Sequence, residues 1–247
     1  MINDAGEDVS SILNLFRNHF SATYVHHKSS KGRTAAINAG INRSRGRWLS
    51  FLDDDDILYP WHLEALVQAG ENSGHKFIYG DYNKALFLDS SRISPNILVG
   101  SPPWEFRRQE LLLQNYIPIH TWLLAHECFE KMGPMDTSLD RLEDYEYLLR
   151  LSAVYDFFHL KKVTCEYRYY LYISNSIYMD RQKSLDALNY LYRHYPVKNQ
   201  KLLFKRRENI ESLQKQVQRI EELKKNIGIS MTEAEANRKI IRLVVGL

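Results

Sequence analysis

Cysteine is nearly absent, with Cys128 and Cys165 the only two in 247 residues. Their spacing is not that of a zinc site and two are too few for a disulfide framework, so both are expected as reduced thiols in a fold that rests on its own core. No apolar run approaches the roughly 20 residues that span a bilayer, and neither terminus reads as a secretory signal. A cytoplasmic protein is expected, at most peripheral on the inner face of a membrane. A strong charge excess is lacking too. Residues 198–227 hold nine Lys or Arg against four Asp or Glu, residues 228–247 three against two, and the rest 21 against 24. A mildly acidic body argues against nucleic acid as a partner. The basic excess falls in the C-terminal stretch, where an anionic membrane surface or a partner protein would meet it.

What the chain does have is an apolar, strand-forming run, Trp48-Leu49-Ser50-Phe51-Leu52, that ends in four consecutive carboxylates, Asp53-Asp54-Asp55-Asp56. Carboxylates this close raise one another's pKa unless a cation sits among them, and hard oxygen donors suit Mg²⁺ or Mn²⁺. A solvated acidic turn is the plain alternative. The helical pattern that follows Pro60 makes the run a strand-to-helix junction, where α/β folds place their ligands.

The rest of the chain alternates in the same way. A helix is expected after Asp8, with Val9, Ile12, Leu13 and Phe16 on one face, then a strand near 22–26, a helix over 33–43 and a strand over 47–52. A helix with Leu63, Leu66 and Val67 facing the core comes next, and Phe77-Ile78-Tyr79 reads as a strand leading into a Gly80-Asp81 loop. Residues 105–115 read as helix, Ile119–Ala125 as strand, 126–132 and 143–154 as helices, 156–170 as one or two strands and 181–195 as an amphipathic helix. This alternation predicts a parallel or mixed sheet with helices on both faces. Ile210, Leu213, Val217, Ile220 and Ile227 follow an a/d pattern, which fits a short coiled coil or a helix packing on its own domain. Ile240, Ile241, Leu243, Val244 and Val245 add a terminal apolar patch. We therefore divide the chain into residues 1–195 and a helical tail, 196–247.

Lys31-Gly32-Arg33-Thr34-Ala35-Ala36-Ile37-Asn38-Ala39-Gly40, then Gly46-Arg47-Trp48, the aspartate run, Gly133-Pro134-Met135-Asp136 and Glu143-Asp144 with Arg150 occur in one order. In order and spacing they resemble family 2 glycosyltransferases of the GT-A fold, whose motifs read "G…A.N.G….G.W…LD.DD" and "G.FD..L…ED…..R". The resemblance covers roughly residues 2–176. It implies a Rossmann-like mixed sheet flanked by helices and an inverting transfer of sugar from a nucleoside-diphosphate donor, UDP-linked in most members, to a glycan or lipid-linked acceptor. A divalent metal stabilises the departing diphosphate and a carboxylate base takes the acceptor proton.

Carried over residue by residue, the resemblance makes Asp53 and Asp55 the D-x-D pair, with Asp55 the metal ligand and Asp53 near ribose and metal. Asp4 and Arg33 then bind the nucleotide and Asp144 is the general base. Asp81, His120, Trp122, Glu143 and Arg168 are expected as donor or acceptor contacts, Trp122 by stacking on a sugar. Asp56 reads as a cap of the next helix or as a ligand-orienting group. Tyr167-Arg168 and Asn175-Ser176 resemble the closing segment of family members, but the His often found there as a further metal ligand is absent, and Tyr169 and Tyr170 stand in the vicinity.

Family members begin with a strand, loop and helix before the segment matching Met1-Ile2-Asn3-Asp4. The GT-A fold is therefore expected without its first βα unit, as a truncated chain. Two rivals follow from the same residues: a glycoside hydrolase, which needs two carboxylates but no metal cluster, and an inactive remnant that presents its helical tail to partners or to a second copy of itself.

Overall fold

The computed structural model describes residues 1–87, 94–101, 104–170 and 181–227, with side chains of the last helix as far as Glu222. The elements in chain order are β1 Ile2–Asn3, α1 Ser10–Leu15, β2 Val25–His26, α2 Arg33–Ile41, β3 Trp48–Ser50, β4 Ile57–Leu58, α3 His62–Ser73, β5 Phe77–Phe87, β6 Ile97–Gly100 and α4 Arg108–Leu111. A 3-10 turn over Ile119–Thr121 then leads into β7 Trp122–Ala125, α5 His126–Met132, α6 Glu143–Leu151, β8 Phe157–Tyr170, α7 Arg181–His194 and α8 Gln200–Ile227.

The sheet is mixed, as the alternation predicts. Its order is β3-β7-β5-β8-β4, with β6 pairing β5; β5 and β8 run parallel and the other pairs antiparallel. β1 and β2 form a separate parallel pair. Because side chains alternate across a strand, Ile78 and Leu123 meet Leu66 of α3 on one face. Phe77, Tyr79, Trp122 and Leu124 meet Phe129 of α5, Tyr145 and Leu148 of α6 and Leu191 of α7 on the other. Helix α3 lies close enough that a Cβ on Gly70 would come within 2.8 Å of both Ile78 Cδ1 and Trp48 Cη2. Among the described residues no helix is long and apolar enough to cross a membrane.

Three local expectations change. Gly80-Asp81 is not a loop: β5 continues through it to Phe87, with a register irregularity against β8 at that point. A Cβ on Gly80 would lie 2.7 Å from Thr164 Oγ1, so this glycine answers to close packing rather than to a turn. The 105–115 helix shrinks to the single turn of α4. Finally, Asp8 does accept from the N–H of Ser10, at 2.9 Å, but Ile12 and Phe16 of the expected apolar face are exposed, as is Leu63 of α3.

Helix α8 packs on the rest of the chain. Arg206, buried, donates to the carbonyls of Leu112, Tyr192 and Tyr195, the orphan acceptors where α4 and α7 end. Asn209 Nδ2 donates to Leu113 O at 3.0 Å. Ile210, Leu213 and Val217 are half-buried and Ile220 buried, while most other positions of that stretch are exposed. The a/d face is thus turned inward, as a helix packing on its own domain requires. The terminal apolar patch and Asn175-Ser176 lie outside the described residues.

Candidate active site

Most of the recurrent motif residues build the frame of the site. Asn38, buried in α2, donates from Nδ2 to Met135 O at 2.9 Å and accepts from Met135 N–H at 3.0 Å, fastening α2 to the Gly133–Leu139 loop across 97 positions of sequence. Arg150 holds the start of that loop, donating to the carbonyls of Met132 and Pro134, both at 2.8 Å. Glu146 supports Arg150 and accepts from Tyr195 at 2.6 Å. Together these bonds set the N-terminus of α6 beside that of α2.

At this meeting point Arg33 joins the two acidic motifs. Its Nη2 donates to Asp53 Oδ2 at 2.7 Å, and its Nη1 bonds Glu143 Oε1. Burial pulls the guanidinium pKa down, but Asp53, Glu143 and Asp144 outweigh it and the net shift is upward. Leu142, just before Glu143, is held at φ 61°, in the left-handed region. Such a conformation costs a branched residue about 1–2 kcal/mol. It aims the Glu143-Asp144 pair at Arg33 and the acidic turn.

Asp144 accepts from Asn115 Nδ2 at 3.2 Å and from the N–H of Tyr145 at 2.7 Å. Desolvation first, then the charge of Glu143, pushes its carboxyl up to about 6. A carboxylate tuned in this way is suited to take a proton near neutral pH.

The donor set of the turn fits a hard divalent ion. Carboxylate oxygens of Asp53, Asp55 and Asp56 come within 4.8 Å of one another. Desolvation, then the charges of Asp56 and Asp53, raises Asp55 above the ordinary carboxylate range, which a cation would relieve. Asp53 and Asp55 retain exposed faces, whereas Asp56 is buried.

Other expected contacts stand elsewhere. Trp122 is fully buried and donates from Nε1 to Ile117 O at 2.9 Å, so its ring belongs to the core and does not stack on a sugar. His120 is also buried, its Nδ1 3.0 Å from Asp56 Oδ2. Asp81 pairs with His159 Nε2 at 2.9 Å. The Arg168 side chain lies over Phe87 and meets Glu166 at 3.3 Å, leaving its backbone N–H as its link to the acidic turn. Asp4 organises a loop. It pairs with His27 Nδ1 at 2.7 Å and accepts from Ser30 and from the N–H groups of Lys31 and Gly32. These bonds, that of His27 foremost, hold its carboxyl well below the usual range. Its place is behind the loop that carries Arg33, at the start of α2.

Neighbours of the same shape are known. The chain superposes on TarS 1–349 of S. aureus in complex with UDP-GlcNAc with a TM-score of 0.59, 12% identity, and coverage of 78% of this chain and 55% of that one. It superposes on the mannosyltransferase PcManGT of Pyrobaculum calidifontis, in complex with GDP-Man and Mn²⁺, with a TM-score of 0.55, 13% identity, and coverage of 99% and 68%. At such identity the likeness establishes the GT-A fold. In sequence, an uncharacterized glycosyltransferase of Haemophilus influenzae is 28% identical over 191 residues, 71% of this chain and 60% of that protein. The uncharacterized glycosyltransferase YwdF of Bacillus subtilis is 23% identical over 169 residues, 67% of this chain and 59% of that protein. The chain thus spans about 60% of the length of these curated relatives. The model of glycosyl transferase family 2 matches residues 2–128, just over half the chain, and with most of the site assembled from those same residues the chain belongs to that family.

Proposed function

We propose that this chain carries the donor and base machinery of an inverting glycosyltransferase that moves a hexose-type sugar from a nucleoside diphosphate, UDP in the first instance, to a glycan or lipid-linked acceptor of the cell envelope. The observation that carries this reading is the Arg33 bridge, which ties Asp53 of the acidic turn to Glu143, the residue next to the desolvated Asp144. Similar folds with UDP-GlcNAc and with GDP-Man and Mn²⁺ support it.

Asp53 and Asp55 hold a divalent metal, Mn²⁺ or Mg²⁺, which when bound neutralises charge building on the departing diphosphate. Arg33, released from Asp53, turns to the phosphates as a fixed donor. Asp144 takes the proton of the acceptor hydroxyl as that oxygen bonds to the anomeric carbon. The bond from that carbon to the diphosphate oxygen breaks with its electron pair leaving on the phosphate, and attack from the opposite face inverts the anomeric centre. Glu143 keeps Arg33 aligned, and Asn115 orients Asp144. Catalysis rests on residues 1–195. Residues 198–247 attach through the inward a/d face of α8, so self-association or docking on a partner is left to their remaining surface, with the basic excess favouring an anionic membrane surface on the cytoplasmic side.

Calorimetry of the chain with UDP in Mn²⁺ and in EDTA tests the donor half of this reading. Binding only with metal is expected, and equal affinity in EDTA would overturn it. The anomeric configuration of the product, read by NMR, tests inversion.

A further inference from the structure

Of the four aspartates in the turn, Asp56 alone is buried. Its Oδ1 accepts from the backbone N–H of Arg168 at 2.8 Å and its Oδ2 lies 3.0 Å from His120 Nδ1. Pairing between β4 and β8 stops at Ile57, opposite Glu166, so the ladder runs out just before Arg168. The Asp56 carboxylate continues it, supplying an acceptor where the backbone no longer does. The other anchor is equally fixed. The His120 ring packs edge-on to Tyr82 of β5, 5.9 Å between centroids, and lies 4.8 Å from Tyr167 of β8. Nδ1 is the ring nitrogen that meets Asp56, and among the described residues Nε2 is buried without a partner. Two elements, β8 and the 3-10 turn, therefore meet on one side chain at the end of the acidic turn.

We propose that Asp56 is a positioning residue. It ties the turn to β8 and to His120 and thereby fixes the separation of Asp53 and Asp55. This rests on the reading of Asp53 and Asp55 as metal ligands. The competing role is that of a third ligand, and the two roles respond differently to asparagine. The Asp56→Asn side chain would keep the acceptor for Arg168 and a polar group beside His120 Nδ1. The anchor survives that change, whereas a ligand would lose its charge.

Asp56→Asn, Asp56→Ala and, as comparator, Asp55→Asn are titrated with Mn²⁺ and followed by electron paramagnetic resonance of the free ion. Hydrogen exchange of the peptide spanning 51–58 is read on the same proteins, with circular dichroism to establish folding. Asp56→Asn is expected to hold Mn²⁺ within about threefold of the parent and to leave exchange unchanged. Asp56→Ala is expected to lose about tenfold or more in affinity, as loss of an orienting outer partner does, with faster exchange confined to 51–58. Asp55→Asn is expected to lose Mn²⁺ with exchange unchanged. If Asp56→Ala does not fold, His120→Phe, which keeps the ring and removes Nδ1, is expected to raise exchange in the same peptide. Loss of Mn²⁺ in Asp56→Asn as large as in Asp55→Asn overturns the proposal in favour of a third ligand. Unchanged exchange in Asp56→Ala, or in His120→Phe where that variant replaces it, overturns it altogether. A parent chain that takes up no Mn²⁺ sinks the reading of the site instead, and the exchange comparison still decides whether Asp56 anchors the turn.

Discussion

Arg33 and Asp53, 20 positions apart in sequence, meet across 2.7 Å, and the same guanidinium bonds Glu143, 110 positions away. A divalent ion and the guanidinium therefore compete for one carboxylate. Arg33→Ala should bind Mn²⁺ more tightly than the parent in the absence of donor, because Asp53 is freed. It should bind UDP in saturating Mn²⁺ about 10–100-fold more weakly, the worth of one charge-assisted hydrogen bond to phosphate. Paired calorimetric titrations check both signs. Weakening of both would assign Arg33 to the support of the turn alone.

Asp144→Asn should lower kcat by about 10²–10⁴-fold, the usual contribution of a general base, while UDP affinity stays near that of the parent. The pH profile carries a second check. The base works deprotonated and its carboxyl is pushed up to about 6 in the ligand-free chain, so kcat/KM, which reports the free enzyme, should fall as pH drops through that value, and this acidic limb should vanish in the residual activity of Asp144→Asn.

Trp122 belongs to the core, bonded to Ile117 and packed edge-on to Phe51 and Phe77. Trp122→Ala should cost about 3–5 kcal/mol in urea unfolding, as large-to-small changes of buried aromatics do. Trp122→Phe should be milder and leave the acceptor KM unchanged. A raised acceptor KM at full stability would mean that the ring reaches the sugar after all.

Arg206 closes the ends of two helices at once. Arg206→Ala strands the carbonyls of Leu112, Tyr192 and Tyr195, and a loss of about 3 kcal/mol in denaturant unfolding is expected. Arg206→Lys should recover only part of it, because an ammonium cannot span three acceptors as a planar fork does. Metal-dependent UDP binding by the folded fraction should not change.

The acidic strand tip, the helices on either side of it and the three recurrent motifs are legible in the sequence because each is local: a strand pattern, a capped periodicity, a spacing. What escapes is set by partners far along the chain. The burial of His120 and Trp122 is invisible because a strand pattern does not say which face is wet. Gly80-Asp81 has the composition of a turn, yet packing against Thr164 carries β5 straight through it. Asp56 reads equally as a helix cap or a ligand-orienting group because its partners, His120 and Arg168, lie far along the chain, the second 112 positions on.

Leu142 bears on how this site could change. Glycine there would relieve the left-handed backbone, but it would also remove a side chain that packs against the core, a loss at least as large as the relief. The same exchange would widen the angular spread of the two carboxylates that follow. Leucine at this position therefore serves packing and aim together, and a replacement is expected to lose both at once.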